Sequence, residues 1–241
     1  MEHHTIKKEK SLEYLRSVGI ENVVVFNAVD GKKLNIDGLD NVSLFTKYLI
    51  NNPIKRSSHE QINSPGGVGC FMSHLACWKE LVKSNKSVAF IFEDDLRPEI
   101  SFEKDFEDSF QKLPSDFDMF SFGYLVIRGK PQKTETGLKT GKLFFGLQGY
   151  LITKNGAKKL IKYADVIESQ VDSFISFIAH STDFKLYFSP NSLVRQDNIT
   201  GTSIQETNWK CNLPDTWTGF AAALVFLILI IIIIYLVVGP I

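Results

Sequence analysis

Three consecutive acids, Glu93-Asp94-Asp95, follow directly on the apolar run Val88-Ala89-Phe90-Ile91-Phe92. A short apolar run of this kind reads as a buried strand, and in open α/β sheets ligands bind at the carboxyl ends of the strands. If strand geometry continues past Phe92, the period of two points Glu93 and Asp95 the same way. Two convergent carboxylates make a hard oxygen site suited to Mg²⁺ or Mn²⁺. Such an ion partners a diphosphate, because it neutralises the charge that grows as a sugar–phosphate bond breaks. Taken alone, the triplet reads more simply as a solvated acidic loop or a helix cap.

The segment just before that strand, Gly66-Gly67-Val68-Gly69-Cys70-Phe71-Met72-Ser73-His74-Leu75-Ala76-Cys77-Trp78, carries a second set of reactive side chains. Phe71, Leu75, Trp78 and Val82 have helical spacing and should face the core, with Cys70, His74, Cys77 and Leu81 on the adjacent stripe. Ser73 and His74 are polar residues in the first turns of a helix whose start could face phosphate, so they are the candidate phosphate-binding pair. A zinc reading of Cys70, His74 and Cys77 lacks a fourth ligand and a C-x-x-C pair. The simpler reading of the two cysteines is small core residues. Cysteine–histidine nucleophilic catalysis lacks an orienting partner.

The elements that must position these residues alternate between helix and strand, which argues for an α/β domain. The periodicity predicts helices over 7–18, 69–83, 156–163 and 171–179, with a helical stripe at Phe102, Phe106, Phe110 and Leu113. It predicts buried strands at 22–27 and 88–92, and further strands at 119–122, 150–153 and 185–188. Ser64-Pro65 reads as a helix cap followed by proline at the first position. Residues 32–64 and 130–142 read as loop, the former with short elements.

The chain has 241 residues, with 27 Lys+Arg against 27 Asp+Glu, so zero net charge removes the main argument for nucleic acid binding. Three cysteines are too few for a disulfide scaffold. Phe220 to Val238 is wholly apolar, and as a helix it would be roughly 28 Å long, close to a bilayer core of about 30 Å. Trp217 and Tyr235 stand near its two ends, where amphipathic aromatics favour the interface. The expectation is a functional domain over 1–215 and a single C-terminal transmembrane helix over 219–238. Met1 to Lys10 is polar and carries no signal-like apolar region. The main domain is therefore expected in the cytosol, or in a lumen if a signal precedes this sequence. Sequons at Asn41, Asn85 and Asn198 offer a test of the topology.

Together these segments resemble the family-25 glycosyltransferases, whose hallmark is G-x-x-G-C-x-x-S-H followed by a strand ending in E-D-D. Gly66, Gly69, Cys70, Ser73 and His74 match the first motif, and Glu93-Asp94-Asp95 the second. Further similarities run in the same order over roughly residues 7–205: Ala28-Val29-Asp30-Gly31, Asp116-Phe117-Asp118 to Gly123, Tyr150-Leu151-Ile152 with Gly156-Ala157-Lys158-Lys159-Leu160, Val171-Asp172, and Pro190 to Gln196 with Ser203-Ile204. The resemblance implies a Rossmann-like GT-A fold and metal-dependent transfer of a sugar, usually galactose, from a UDP-sugar to an acceptor hydroxyl on a glycan, lipid-linked glycan or protein. It implies that Glu93 and Asp95 hold Mn²⁺ (or Mg²⁺) and the diphosphate, with Asp94 supporting. An inverting transfer needs a general base, for which Asp172 is the candidate; a helix-N-terminal carboxylate stabilised by the dipole explains Asp172 as well.

Two departures from the family pattern stand out. The family opens with a strand ending I-N-L that lines the nucleotide pocket, whereas this sequence begins at about the end of it. That predicts weaker nucleotide binding and an exposed edge on the next strand. Gln148-Gly149 stands where the family often has a small residue or His followed by Ala. The alternative function is therefore a catalytically silent, membrane-tethered relative acting as a binding or interaction protein.

Overall fold

The computed structural model describes residues 2–52, 56–128, 131–141 and 143–197. The described residues include six α-helices: α1 (Glu2–Ser17), α2 (Leu44–Asn51), α3 (Pro65–Lys83), α4 (Phe102–Phe110), α5 (Lys154–Tyr163) and α6 (Val171–Ser181). The strands are β1 (Val88–Phe92), β2 (Leu96–Pro98), β3 (Met119–Gly123), β4 (Val126–Arg128), β5 (Gln132–Lys133), β6 (Lys139–Thr140), β7 (Leu143–Phe145), β8 (Gly149–Thr153), β9 (Leu186–Phe188) and β10 (Val194–Gln196). The central sheet has the order β1-β8-β3-β9-β6-β5. Because β1 and β3 both run antiparallel to β8, and β9 runs parallel to β3, strands β1, β3 and β9 all point their carboxyl ends to one rim.

Alternation of side chains across the sheet produces two apolar layers. Met119, Tyr150 and Ile152 point into the larger one with Phe71, Trp78, Leu160 and Ile175 from α3, α5 and α6. Phe120, Phe122 and Leu151 point into the other with Leu15 and Phe102. The phenylalanine stripe of α4 packs there, Phe106 meeting Phe122 edge-on at 5.3 Å. The helix caps follow the sequence: Ser64 accepts from the Gly67 amide, with Pro65 at the first position of α3.

The mixed α/β architecture with a central sheet agrees with the sequence pattern, but four local expectations are corrected. Residues 22–27 form no strand, and Val24, Val25 and Phe26 are exposed, because among the described residues no strand lies beside them. Strand β1 forms but is not buried: among the described residues it pairs with β8 alone, and Val88 and Phe90 are 43% and 48% exposed. Residues 130–142 contain the two-residue strands β5 and β6, which extend the sheet beyond β9. Strand geometry stops at Phe92, and Asp94 and Asp95 lie in a turn, so the period of two does not orient the triplet. Among the described residues no helix is long and apolar enough to cross a membrane, and the expected span at 219–238 lies outside them.

Candidate active site

The rim formed by the carboxyl ends of β1, β3 and β9 gathers the acidic triplet, Gln148 before β8 and the late segment ending in β10. The Glu93 amide donates to the Gln148 carbonyl at 3.2 Å, holding the triplet against the start of β8. Pairing of β10 with β2 brings Gln196 opposite Leu96. Its side-chain amide then donates to Asp95 Oδ2 at 2.8 Å, while Asp95 Oδ1 is buried with no hydrogen-bond partner among the described residues. Burial and the neighbouring Glu93 carboxylate push the Asp95 acid up to about 6. The Asp94 side chain is exposed, and its backbone carbonyl accepts from Ser11 Oγ at 2.7 Å, which ties α1 to the triplet.

His74 reaches the triplet from α3. Its Nε2 lies 3.4 Å from Glu93 Oε1, and its Nδ1 lies 2.9 Å from the Tyr150 hydroxyl, which also accepts from Trp78 Nε1 at 3.0 Å. Cys70, His74 and Glu93 present ligand atoms that all lie within 4.8 Å of one another. Thus Glu93, not Cys77, completes the trio with Cys70 and His74. The Cys70 thiol is pushed well above its ordinary range by burial and by the carboxylates of Glu93, Asp172, Asp95 and Asp94. A proton held this firmly leaves little thiolate for nucleophilic attack.

Ser73 sits in a backbone joint. Its hydroxyl donates to the Gly69 carbonyl at 2.7 Å and accepts from the Val29 amide at 2.8 Å. A Cβ on Gly69 would stand 2.6 Å from the Val29 carbonyl oxygen, and one on Gly31 would stand 2.1 Å from that of Pro65. The first-motif glycines and the Ala28–Gly31 turn are therefore two halves of one close contact that only glycine permits. With its proton on Gly69, Ser73 can offer a phosphate nothing until that bond opens.

Asp172 opens α6 and is buried. Its Oδ1 accepts from the Ser173 amide at 2.7 Å and its Oδ2 from the Gly146 amide at 2.9 Å, with His59 Nε2 at 3.7 Å from Oδ2. Gly146 has a φ of +87°, so Asp172 anchors a left-handed turn that leads into Gln148. The Gln148 side chain is buried, and its Oε1 is another acceptor without a partner among the described residues.

Asp118 does not join this rim. It precedes β3 at the opposite end of the sheet, since Met119 pairs with Ile152, whereas Phe92 pairs with Gly149. Its buried carboxylate accepts from Lys159 Nζ at 2.8 Å, the Lys185 amide at 2.8 Å and Asn155 Nδ2 at 3.1 Å. The Asp116–Asp118 pair is thus structural in its setting, with Asp116 on Lys185.

Sequence reasoning overlooked His59 and the side-chain roles of Gln148, Tyr150 and Gln196. His59 lies in a stretch with no periodicity, so nothing local marked it. Gln196 and Tyr150 were visible as motif letters, but their partners lie 101 and 76 residues away.

The glycosyltransferase family 25 (LPS biosynthesis protein) profile matches residues 3–175. The chain is 28% identical over 205 residues to procollagen galactosyltransferase 1-A of Xenopus laevis, covering 80% of this chain and 33% of that protein. It is 28% identical over 172 residues to a glycosyltransferase 25 family member of Anopheles gambiae, covering 67% and 27%. It is also 28% identical over 202 residues to inactive glycosyltransferase 25 family member 3 of Homo sapiens, covering 78% and 32%. The chain spans about a third or less of the curated relatives it matches. With more than half of its length matched by the profile, the chain belongs to glycosyltransferase family 25.

Proposed function

We propose that this chain transfers a sugar, galactose first among the candidates, from a UDP-sugar to an acceptor hydroxyl on a glycan, lipid-linked glycan or protein. The observation that carries the reading is Asp95: a half-buried carboxylate whose buried Oδ1 has no partner among the described residues and whose acidity is weakened, beside Glu93 at the carboxyl rim of the sheet. An unpaired buried oxygen is costly unless something completes it. The oxygens of Glu93 and Asp95 fit a hard divalent cation, Mn²⁺ or Mg²⁺. When bound, that ion would neutralise charge on the departing diphosphate.

The chain's own residues would do the rest. Gln196 holds one Asp95 oxygen in place. His74 faces Glu93 and limits its rotation. Asp94, exposed, is available to the donor's polar groups. Ser73 fixes the start of α3 against residues 28–31 and so sets where His74 stands. In this reading Asp172 would act as the base, taking the proton of the acceptor hydroxyl onto its carboxylate. Its bonds from Gly146 and Ser173 orient that carboxylate. The membrane tether is assigned to residues 219–238, and the domain to 1–215.

A thermal melt of the full chain with UDP and Mn²⁺, wild type beside Asp95→Asn, tests the reading. Ligand at about a hundred times its dissociation constant adds roughly 2.7 kcal/mol, or about 5–10 °C at this size. The expected result is a Mn²⁺-dependent upward shift in the wild type that Asp95→Asn loses, followed by galactose release from UDP-galactose. A cooperative melt with no shift points to the silent, membrane-tethered reading. That second reading draws on the exposed Val24, Val25 and Phe26 and the unpaired side of β1. Glycosidase treatment tests the side of the membrane: the cytosolic expectation predicts no mass shift, and a shift, for which Asn85 is an exposed sequon, would place the domain in a lumen.

A further inference from the structure

Tyr150 is fully buried in β8, and its hydroxyl touches two ring nitrogens. Trp78 Nε1 is only ever a donor, so the Tyr150 oxygen accepts from it. The phenolic proton must then go elsewhere, because a buried hydroxyl left without an acceptor is costly. Among the described residues the acceptor within reach is His74 Nδ1, at 2.9 Å. His74 therefore takes that proton's hydrogen bond on Nδ1, and its own proton sits on Nε2, the nitrogen 3.4 Å from Glu93 Oε1. The chain of donors runs one way, Trp78 to Tyr150 to His74 to Glu93, from the core of α3 to the acidic triplet.

We propose that Tyr150, held by Trp78, is a positioning residue that locks His74 in the Nε2–H tautomer, so that His74 steers the Glu93 carboxylate. The inference deepens the donor-site reading and rests on it for the purpose served, while the tautomer itself does not. It also decides the fate of the Cys70–His74–Glu93 trio. Coordination through Nε2 would require that nitrogen's lone pair, which would put the proton on Nδ1. Tyr150 would then accept twice and have nowhere to donate. The trio is thus a steering contact, and Glu93 is left to act with Asp95. Partners of this kind, one step removed from a ligand, commonly alter metal affinity by about 10–100-fold when lost.

The test is long-range ¹⁵N–¹H correlation on the full chain labelled at histidine, without added metal, with the His74 signals assigned by their loss in His74→Gln. The expected result is a neutral His74 protonated on Nε2. Protonation on Nδ1, or on both nitrogens at neutral pH, overturns the proposal. Tyr150→Phe keeps the ring and removes the donor; it should release the tautomer to a mixture and weaken Mn²⁺ binding, followed by electron paramagnetic resonance, by about 10–100-fold. A folded Tyr150→Phe with wild-type tautomer and Mn²⁺ affinity also overturns it. If Tyr150→Phe does not fold, Trp78→Phe, which removes only the outer donor, and the wild-type spectrum still decide. A wild type that shows the Nε2–H tautomer yet binds no Mn²⁺ sinks the donor-site reading and leaves the hydrogen-bond chain standing.

Discussion

Gln196 and Asp95 lie 101 residues apart in sequence, and the amide of one donates to the carboxylate of the other at 2.8 Å across the β2–β10 pair. The last strand of the described fold thus sets the orientation of an acid that follows the first strand of the sheet. The bond occupies one carboxylate oxygen and leaves the other buried without a partner among the described residues.

That arrangement makes stability depend on pH in a definite direction. Burial first and Glu93 second raise the folded acid from 3.8 to about 6. Between those values the folded state keeps a proton that the unfolded state has lost, so stability falls as pH rises from about 4 to about 6 and levels off above. Asp95→Asn removes this loss while retaining an acceptor for Gln196. In metal-free buffer at pH 7 it should melt above the wild type and show a flatter stability profile from pH 4 to 6. At the same time it should bind no Mn²⁺. A variant that melts lower at pH 7 than the wild type would show that the Asp95 charge is not a strain on the fold.

Gly69→Ala tests the joint between α3 and the Ala28–Gly31 turn. The added methyl meets backbone atoms of Val29 and Gly31, which cannot swing aside. A loss of about 1–3 kcal/mol or more is expected from this overpacking, read as a lowered denaturant midpoint. Ser73→Ala strands the Val29 amide and should cost about 1–3 kcal/mol, yet leave Mn²⁺ affinity within a few-fold at a temperature where the variant is folded. A large selective loss of UDP binding in Ser73→Ala would return that hydroxyl to the phosphate.

Asp118→Ala leaves Lys159 without its buried partner and the Lys185 amide without an acceptor. Lys159 is partly exposed and keeps Asp183, so the main loss is the stranded Lys185 amide, about 1–3 kcal/mol, lowering Tm by about 2–12 °C at this size. Donor and metal binding should persist below the new melting point, because the residue stands at the far rim of the sheet. Loss of metal binding without loss of stability would put Asp118 in the site after all.

Asp172→Asn separates chemistry from architecture. The amide keeps one acceptor oxygen, so the fold should lose no more than a hydrogen bond, about 1–3 kcal/mol. Transfer should slow by about 10²–10⁴-fold, the range for a lost general base, with donor affinity unchanged. Transfer at the wild-type rate would leave Asp172 as the anchor of the Gly146 turn alone.

What the sequence made legible was what depends on neighbours in the chain. Ser64-Pro65 marked the start of α3, the Phe102–Phe106–Phe110 stripe marked α4, and 119–122 read correctly as a strand, which runs through Gly123 and is buried throughout. The acidic triplet was visible because it interrupts an apolar run. Its geometry was not, since the turn at Asp94 and Asp95 is held by the Glu93 amide donating to the Gln148 carbonyl and by bonds from the Ser11 hydroxyl and the Asp197 amide. The short strands β5 and β6 escaped because two residues carry no periodicity, and their pairing depends on β9. Residues 22–27 have the composition of a strand, but composition supplies no ladder partner. The D-x-D pattern at 116–118 matched the family by its letters, but that it stands at the far rim as a structural staple follows only from the register of β3 against β8 and from its bonds to Lys159, Lys185 and Asn155.

The unpaired side of β1 has a consequence for how the protein behaves in solution. Among the described residues this five-residue strand pairs on one side alone and exposes Val88 and Phe90, which makes it a template for another extended chain. The lysine and asparagine of the preceding Asn85-Lys86 turn guard only its amino end. At rising concentration two copies can pair edge to edge, so a charged residue in place of Val88 is the substitution that would keep preparations monodisperse.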